Sequence, residues 1–341
     1  MAALKQLFAF ARRPAGLVRS YLSFIASFFR RRNTVVELIS GADDLSTAEN
    51  IVIFSHYDSG SRVGSYVRNY LDALRRAGFS IVFVTTSPRI DGDSLTWLQQ
   101  QCAVVMRRRN VGMDFGSYKA GIALLTDRSR IERLLLANDS VYGPFRDLKP
   151  YLEDMNSKGA DLWGITDSWE FQYHVQSFFL LFGRRAITSP AFQAFWDGVR
   201  LVQSKRFVIR KYEVGLTRAM LGAGLRCKVV CPSRNAADAY VRDVRQKNIL
   251  TTKTLTDVER QFNADVFGLV LRGTPVNATH FFWEYLIREM SCPFIKRELL
   301  RKNPARIPSL QHWEKVIGEQ SDYDTDLIVE DLERVLRNRA V

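Results

Sequence analysis

The sequence has no uncharged apolar run long enough to cross a bilayer. Its amino-terminal uncharged stretch, Ser20–Phe29, is about half of the ~20 residues that a spanning helix needs. Cysteine is scarce: Cys102, Cys227, Cys231 and Cys292 are too few and too scattered for a disulfide framework, and a reducing compartment fits. Cys227-x3-Cys231 has no second Cys or His pair at zinc spacing and reads as structural. Histidine is equally sparse, and His56 has no companion until His174, which argues against a zinc hydrolase. There is no GxSxG elbow and no GxGxxG, so neither a serine hydrolase nor a dinucleotide fold is supported. Repeats and low-complexity tracts are absent as well.

What remains is an ordinary globular composition. The chain has 341 residues, 46% hydrophobic and 25% charged, which excludes a disordered, collagen-like or coiled-coil whole. That length suits about two domains, or one α/β domain of about 250 residues with additions. The net charge of +13 is unevenly placed. No acidic residue precedes Glu37, while Lys5, Arg12, Arg13, Arg19, Arg30, Arg31 and Arg32 interleave with aromatic and aliphatic residues. A signal peptide would place small residues after the apolar run, and here Arg30-Arg31-Arg32 follows. Residues 1–33 therefore read as an interfacial amphipathic segment on an anionic membrane surface, with packing on the body or on a partner as the alternative. The remainder is only mildly basic, so nucleic acid is not an expected partner.

The body, residues 34–235, alternates short apolar runs with helical periods. Ile51–Ser55, Ser80–Thr85, Ala103–Met106 and Leu134–Ala137 read as buried strands, with helices over 63–77, 95–101 and 118–125 between them. Later strands are expected at 161–166, 175–182 and 225–230, and helices over 199–211 and 213–221. Residues 236–341 read as a mostly helical extension that completes the site. This order predicts an α/β fold, a mixed and mainly parallel sheet flanked by helices. Ligands of such sheets bind beyond the carboxyl ends of the strands, where Ser55-His56-Tyr57-Asp58, Arg109–Asp114 and Asn138-Asp139-Ser140 fall.

Each cluster has a chemical use. Asp139, just after a strand, suits a divalent cation held against phosphate oxygens, Mg²⁺ or Mn²⁺ by ligand type, with Asn138 and Ser140 beside it. Asn110-x-Gly112-x-Asp114-x-Gly116 lets backbone N–H groups approach a phosphate or ribose, and Arg107–Arg109 before it could meet phosphate. Glu213 reads as the first residue of a helix, where the dipole favours its ionised form and it can act as general base toward an alcohol.

These stretches together resemble the rhamnan synthesis protein F family of bacterial glycosyltransferases. The resemblance rests on FSHYDSGSRVGSYVRNYLDALRRAGFSIVFVTTS (54–87), RNVGMDFGSYKAG (109–121), LLLANDSVYGPF (134–145), DLWGITDS (161–168), HVQSFF (174–179) and KYEVGLTRAML (211–221), with NATHFFWEYLI and PFIKRELLRKNP following in order up to residue 304. It implies a Rossmann-like core of the GT-A type, which uses nucleotide sugars. It further implies inverting transfer of a deoxyhexose, typically L-rhamnose from dTDP-L-rhamnose, onto a lipid-linked O antigen or rhamnan. The expected place is the inner face of the bacterial plasma membrane, peripherally attached and alongside other glycosyltransferases of the pathway. Carried over by residue, Asp139 takes the place of the metal-binding acidic motif with only one acid present, and His280 that of a late metal- or diphosphate-touching histidine. Glu213 becomes the base, with Asp167 the alternative base or, like His174, a residue of the acceptor side. Ser55, His56, Tyr57, Asn110, Gly112, Asp114, Lys119, Asn138 and Ser140 become the nucleotide side. A scaffold of polysaccharide assembly that keeps the fold without the chemistry is the competing reading.

Overall fold

The computed structural model of the protein describes residues 23–25, 27, 34–157 and 159–337. Most of the basic amino-terminal segment thus lies outside the described residues. Of its four described residues, Ser23 Oγ accepts the Gln203 N–H at 3.0 Å, and the Phe24 ring stacks on Phe207 with centroids 5.2 Å apart. No described helix is long and apolar enough to cross a membrane.

One mixed sheet organises the chain. Its strands are β1 (Val35–Ser40), β2 (Asn50–His56), β3 (Ser80–Thr85), β4 (Val104–Arg108), β5 (Arg133–Asn138), β7 (Leu162–Ser168), β8 (His174–Val175), β9 (Phe179–Gly183) and β10 (Cys227–Cys231). Their order is β1-β4-β3-β2-β5-β9-β7-β10, with β8 beside β7. The centre, β4-β3-β2-β5, is parallel, as is β7-β10, whereas β1, β8 and β9 run antiparallel to their neighbours. A second ribbon pairs β6 (Val141–Tyr142) with β11 (Ile295–Lys296).

The sheet is buried on both faces, and β2 shows why its sequence is continuously apolar. Val52 and Phe54 join one core while Ile51 and Ile53 join the other, the alternation of a pleated strand. Each fully buried side chain of this size contributes about 1.5–3 kcal/mol. The first core receives α1 (Ser65–Arg76) through Tyr66, Val67, Tyr70, Leu71 and Leu74. It also receives the carboxyl-terminal helices through Tyr240, Trp283, Val316 and Ile328, so residues beyond 236 share the core of the sheet. The second core is closed by α2 (Met113–Ile122), the segment 190–198 and the helical run over 205–222. The turn into α2 needs glycine twice. Gly112 has φ +83°, and a Cβ on Gly116 would sit 2.7 Å from the Val111 carbonyl oxygen.

Four expectations change. β1, VVELIS, is an added edge strand whose apolar side chains are mostly exposed, so it does not read as a buried run. The apolar stretch 175–182 is broken into β8 and β9: residues 176–178 interrupt the ladder, β8 pairing with the end of β7 while β9 lies between β7 and β5. The helix expected over 199–211 begins only at Lys205, after Ser204 caps it by accepting the Phe207 N–H. Glu213 is not a helix start. The run continues from α3 (Lys205–Val208) through a π-helical turn, Ile209–Glu213, into α4 (Val214–Gly222), and Glu213 has no free helix N-terminus beside it.

Candidate active site

The parallel register sets Ser55 opposite Asn138 at the carboxyl ends of β2 and β5. The first turn of α2 brings Asp114 to the same point. Its carboxylate accepts the Ser55 hydroxyl at 2.9 Å and the Asn138 amide at 3.2 Å, so three separate sequence clusters meet in one knot. Burial, then the nearby Asp139 and Glu213 carboxylates, push Asp114 up to about 6 despite the Ser55 hydrogen bond. Asn138 Oδ1 in turn accepts the Ser140 backbone N–H at 3.1 Å and its hydroxyl at 2.5 Å, which fixes the turn that aims Asp139.

Asp139 already has a cation. Its carboxylate oxygen lies 3.1 Å from the Arg297 guanidinium, which also donates to the Asp139 carbonyl at 2.8 Å, and it accepts the Tyr57 N–H at 3.4 Å. Arg297 opens α7 (Arg297–Lys302) and lies over the Tyr66 ring at 4.6 Å and the Tyr142 ring at 5.6 Å. Its other nitrogen pairs with Asp331 of α8 (Asp326–Arg337) at 3.0 Å. Asp331 also accepts from Tyr142 at 2.7 Å and pairs with Arg334, which reaches Asp58 at 2.7 Å. The result is a chain of alternating charge, Asp139–Arg297–Asp331–Arg334–Asp58, that fastens the last helix to the ends of two strands. A divalent ion would find one carboxylate here, Asp139, with one oxygen already held by Arg297; no group of three His, Cys, Asp or Glu side chains that could hold a metal, and no bond from His280 to Asp139, occurs among the described residues.

Beside this knot stands a second cationic group. Lys296, at the end of β11, lies 3.9 Å above the Phe178 ring and 3.5 Å from the Ser140 hydroxyl. Burial lowers its ammonium to about 8, against the pull of Glu213 and Asp114. His280, in α6 (Ala278–Phe281), belongs to the Lys296–Lys205–Glu298 side; burial and then Lys296 push it down to about 4, so its ring is neutral. Glu213 faces His174, its carboxylate 3.9 Å from Nε2. The Gln172 carbonyl, 2.9 Å from His174 Nδ1, can only accept, so Nδ1 carries the hydrogen. Glu170 completes the group, its carboxyl raised by burial despite His174 and an Asn277 hydrogen bond. A π-helical turn at the very segment that carries Glu213 is a recurrent mark of functional sites, because it re-aims a side chain at a cost in helix geometry.

Several expected residues sit elsewhere. Lys119 donates to the carbonyls of Asp197 and Val199 at 2.9 and 2.8 Å and holds a loop. Gln203 clamps Asn110 and Gly112 through the Asn110 carbonyl and the Gly112 N–H, so the glycine loop is tied down by this chain itself. Arg107 pairs with Glu37 at 2.8 Å, and Arg108 is buried, donating to Val111, Ser117 and Thr34. His56 is buried against Thr85, its pKa lowered by burial, whereas Tyr57 is exposed at the rim. Asp167 accepts the Ser233 N–H at 2.7 Å and caps α5 (Ser233–Gln246), a structural use of a buried carboxylate. Lys296, Arg297, Asp331 and Glu170 were not singled out from the sequence. Lys296 and Arg297 stand in the conspicuous PFIKRELLRKNP block, where two adjacent cations follow a β-prone apolar pair.

A family model described as rhamnan synthesis protein F matches residues 81–253, just over half of the chain. The chain belongs to that family. A relative, virulence protein VirA of Vibrio anguillarum, is 31% identical over 291 residues, covering 80% of this chain and 90% of that protein. The uncharacterized protein y4gN of Sinorhizobium fredii is 30% identical over 162 residues, covering 46% of this chain and 42% of that one. Among solved structures, the glycosyltransferase GlyE of Streptococcus pneumoniae has 13% identity and a TM-score of 0.38, covering 83% of this chain and 63% of that chain. Membership of the rhamnan synthesis protein F family supports a glycosyltransferase acting in polysaccharide synthesis.

Proposed function

We propose that the chain transfers a sugar, L-rhamnose from dTDP-L-rhamnose in the first instance, from a nucleotide donor to a lipid-linked cell-surface glycan with inversion. The observation that carries this reading is the convergence of Asp114, Asn138, Lys296 and Glu213 at the carboxyl ends of the central strands. Glu213 removes the acceptor hydroxyl proton while that oxygen attacks the anomeric carbon. The leaving diphosphate needs positive charge, and Lys296, beside the Ser140 hydroxyl, supplies it, since Arg297 is already matched by Asp139 and Asp331. The scaffold reading does not account for a buried lysine in the field of two carboxylates, Glu213 and Asp114.

Nucleotide release from a panel of nucleotide sugars, with and without chelator, tests this reading. We expect turnover of a deoxyhexose donor that survives excess EDTA. Activity abolished by EDTA and restored by Mn²⁺ would return Asp139 to a metal. No turnover of any donor would favour the scaffold.

Attachment to the inner face of the plasma membrane belongs to the same proposal. At about 1 kcal/mol per cation near an anionic surface, the seven cations of residues 1–33 give several kcal/mol of salt-sensitive attraction. Sedimentation with phosphatidylglycerol vesicles should be lost on deleting this segment or raising salt. Sedimentation indifferent to both would refute membrane attachment through it.

A further inference from the structure

The hairpin between β7 and β8 is built oddly for a surface loop. Ser168 pairs with His174, leaving the five residues 169–173 as the connection. Among the described residues few large apolar side chains are exposed, yet Trp169 and Phe171 both are, at 56% and 48%. Phe171 has φ +71°, a left-handed conformation that an aromatic residue rarely adopts. Its ring is turned to solvent, and the Trp169 ring lies 5.1 Å from that of Tyr173. The loop is internally ordered: the Glu170 N–H donates to Ser168 Oγ, the Gln172 N–H to the Glu170 carbonyl, and His174 contacts the Gln172 carbonyl.

Two contacts tie this aromatic patch to the candidate site. Glu170, between the two exposed rings, lies in the field of His174 and Glu213. Arg210 lies over the Phe171 ring at 5.4 Å and belongs to the same π-helical turn as Glu213. Anything seated on these rings is therefore close to the turn that carries the carboxylate proposed as base. A pyranose suits the surface chemically. Its axial C–H groups form an apolar face for a ring, and its rim of hydroxyls suits Arg210, which lies over the Phe171 ring.

We propose that Trp169, Phe171 and Tyr173 form the acceptor subsite, a platform on which a pyranose ring of the acceptor glycan stacks so that its hydroxyl faces Glu213. This rests on the glycosyltransferase reading and deepens it by assigning the acceptor side.

The experiment uses the full chain with methyl α-L-rhamnoside, methyl glucoside and methyl galactoside as acceptor probes. Trp169→Ala and Phe171→Ala should each raise the acceptor KM about tenfold or more, while acceptor-free hydrolysis of the donor stays within about twofold. Trp169→Phe should retain most of the acceptor affinity, which a merely structural role in the loop would not distinguish from alanine. The same glycosides should perturb the tryptophan fluorescence of the wild type and not that of Trp169→Phe. Unchanged acceptor KM in both alanine variants overturns the proposal. So does loss of vesicle sedimentation with acceptor KM intact, which would make the patch a membrane contact. Should the wild type turn over no nucleotide sugar, the glycosyltransferase reading fails separately, and the fluorescence titration still decides whether the rings bind a sugar.

Discussion

Glu213→Gln is expected to fold normally, bind the nucleotide sugar, and transfer at least about a hundredfold more slowly than the wild type. Glutamine keeps the size of the side chain and can still accept a hydrogen bond, but it cannot take a proton. A general base acts only as the acceptor oxygen becomes a nucleophile, so its removal depresses kcat and leaves donor affinity nearly unchanged. General-base assistance is worth about 10² to 10⁴ in rate, or about 3–5 kcal/mol of barrier. The surroundings suit proton removal, since Glu213 is partly exposed and lies 3.9 Å from a histidine whose Nδ1 hydrogen is committed to the Gln172 carbonyl.

The folded state should tolerate this change because the buried Lys296, which Glu213 helps to keep charged, still has Asp114 beside it. Glu213 caps no helix, its turn being continuous with α3 and α4, and its 3.9 Å separation from His174 is too long for a hydrogen bond. Single-turnover transfer and donor binding measured on the same preparation separate the outcomes. Near-normal transfer by the glutamine variant would move the role to Asp114, the other carboxylate that faces Lys296. A loss of folding would make Glu213 a structural carboxylate after all.

The sequence carried the sheet better than the site. β2, β3 and β5 were legible because strands covered on both faces must be apolar at every position, and β2 is buried from Ile51 to His56. β1 was missed although VVELIS is β-prone, because it follows the basic segment and lies at the sheet edge with Val35, Val36 and Leu38 exposed and not in a buried run. Ser55, Asp114 and Asn138 were legible as strand-end polar residues, and the parallel register brought them together. The partner of Asp139 was not. Arg297 is 158 residues away, and one cation among the four of PFIKRELLRKNP gives no local sign that it is the one buried between two tyrosines. Gly112 and Gly116 also answer to a demand that their pattern did not announce, a left-handed turn at one and close packing on Val111 at the other.

Asp114→Asn should change how stability depends on pH. In the folded chain Asp114 titrates near about 6, above the ordinary value of about 3.9 that the unfolded chain shows. Between those values the folded state keeps a proton that the unfolded state has released. Stability therefore falls as pH rises from about 4 to about 6 and then stays flat. Two units at 1.36 kcal/mol each make this loss about 3 kcal/mol at neutral pH. Asparagine has no proton to keep, so the variant lacks that slope. It does leave the Asn138 amide without its acceptor, a cost of about 1–3 kcal/mol that does not vary with pH. Urea unfolding at pH 4 and at pH 7.5 separates the two effects: the variant should be the less stable protein at the lower pH and gain about 3 kcal/mol relative to wild type at the higher. Parallel curves would mean that Asp114 is ionised at no cost, with Lys296 and Ser55 compensating its burial fully. Under the proposed function this carboxylate, kept at such a cost beside a lysine and a candidate base, serves the donor, and the same variant is expected to lose turnover while gaining stability at neutral pH.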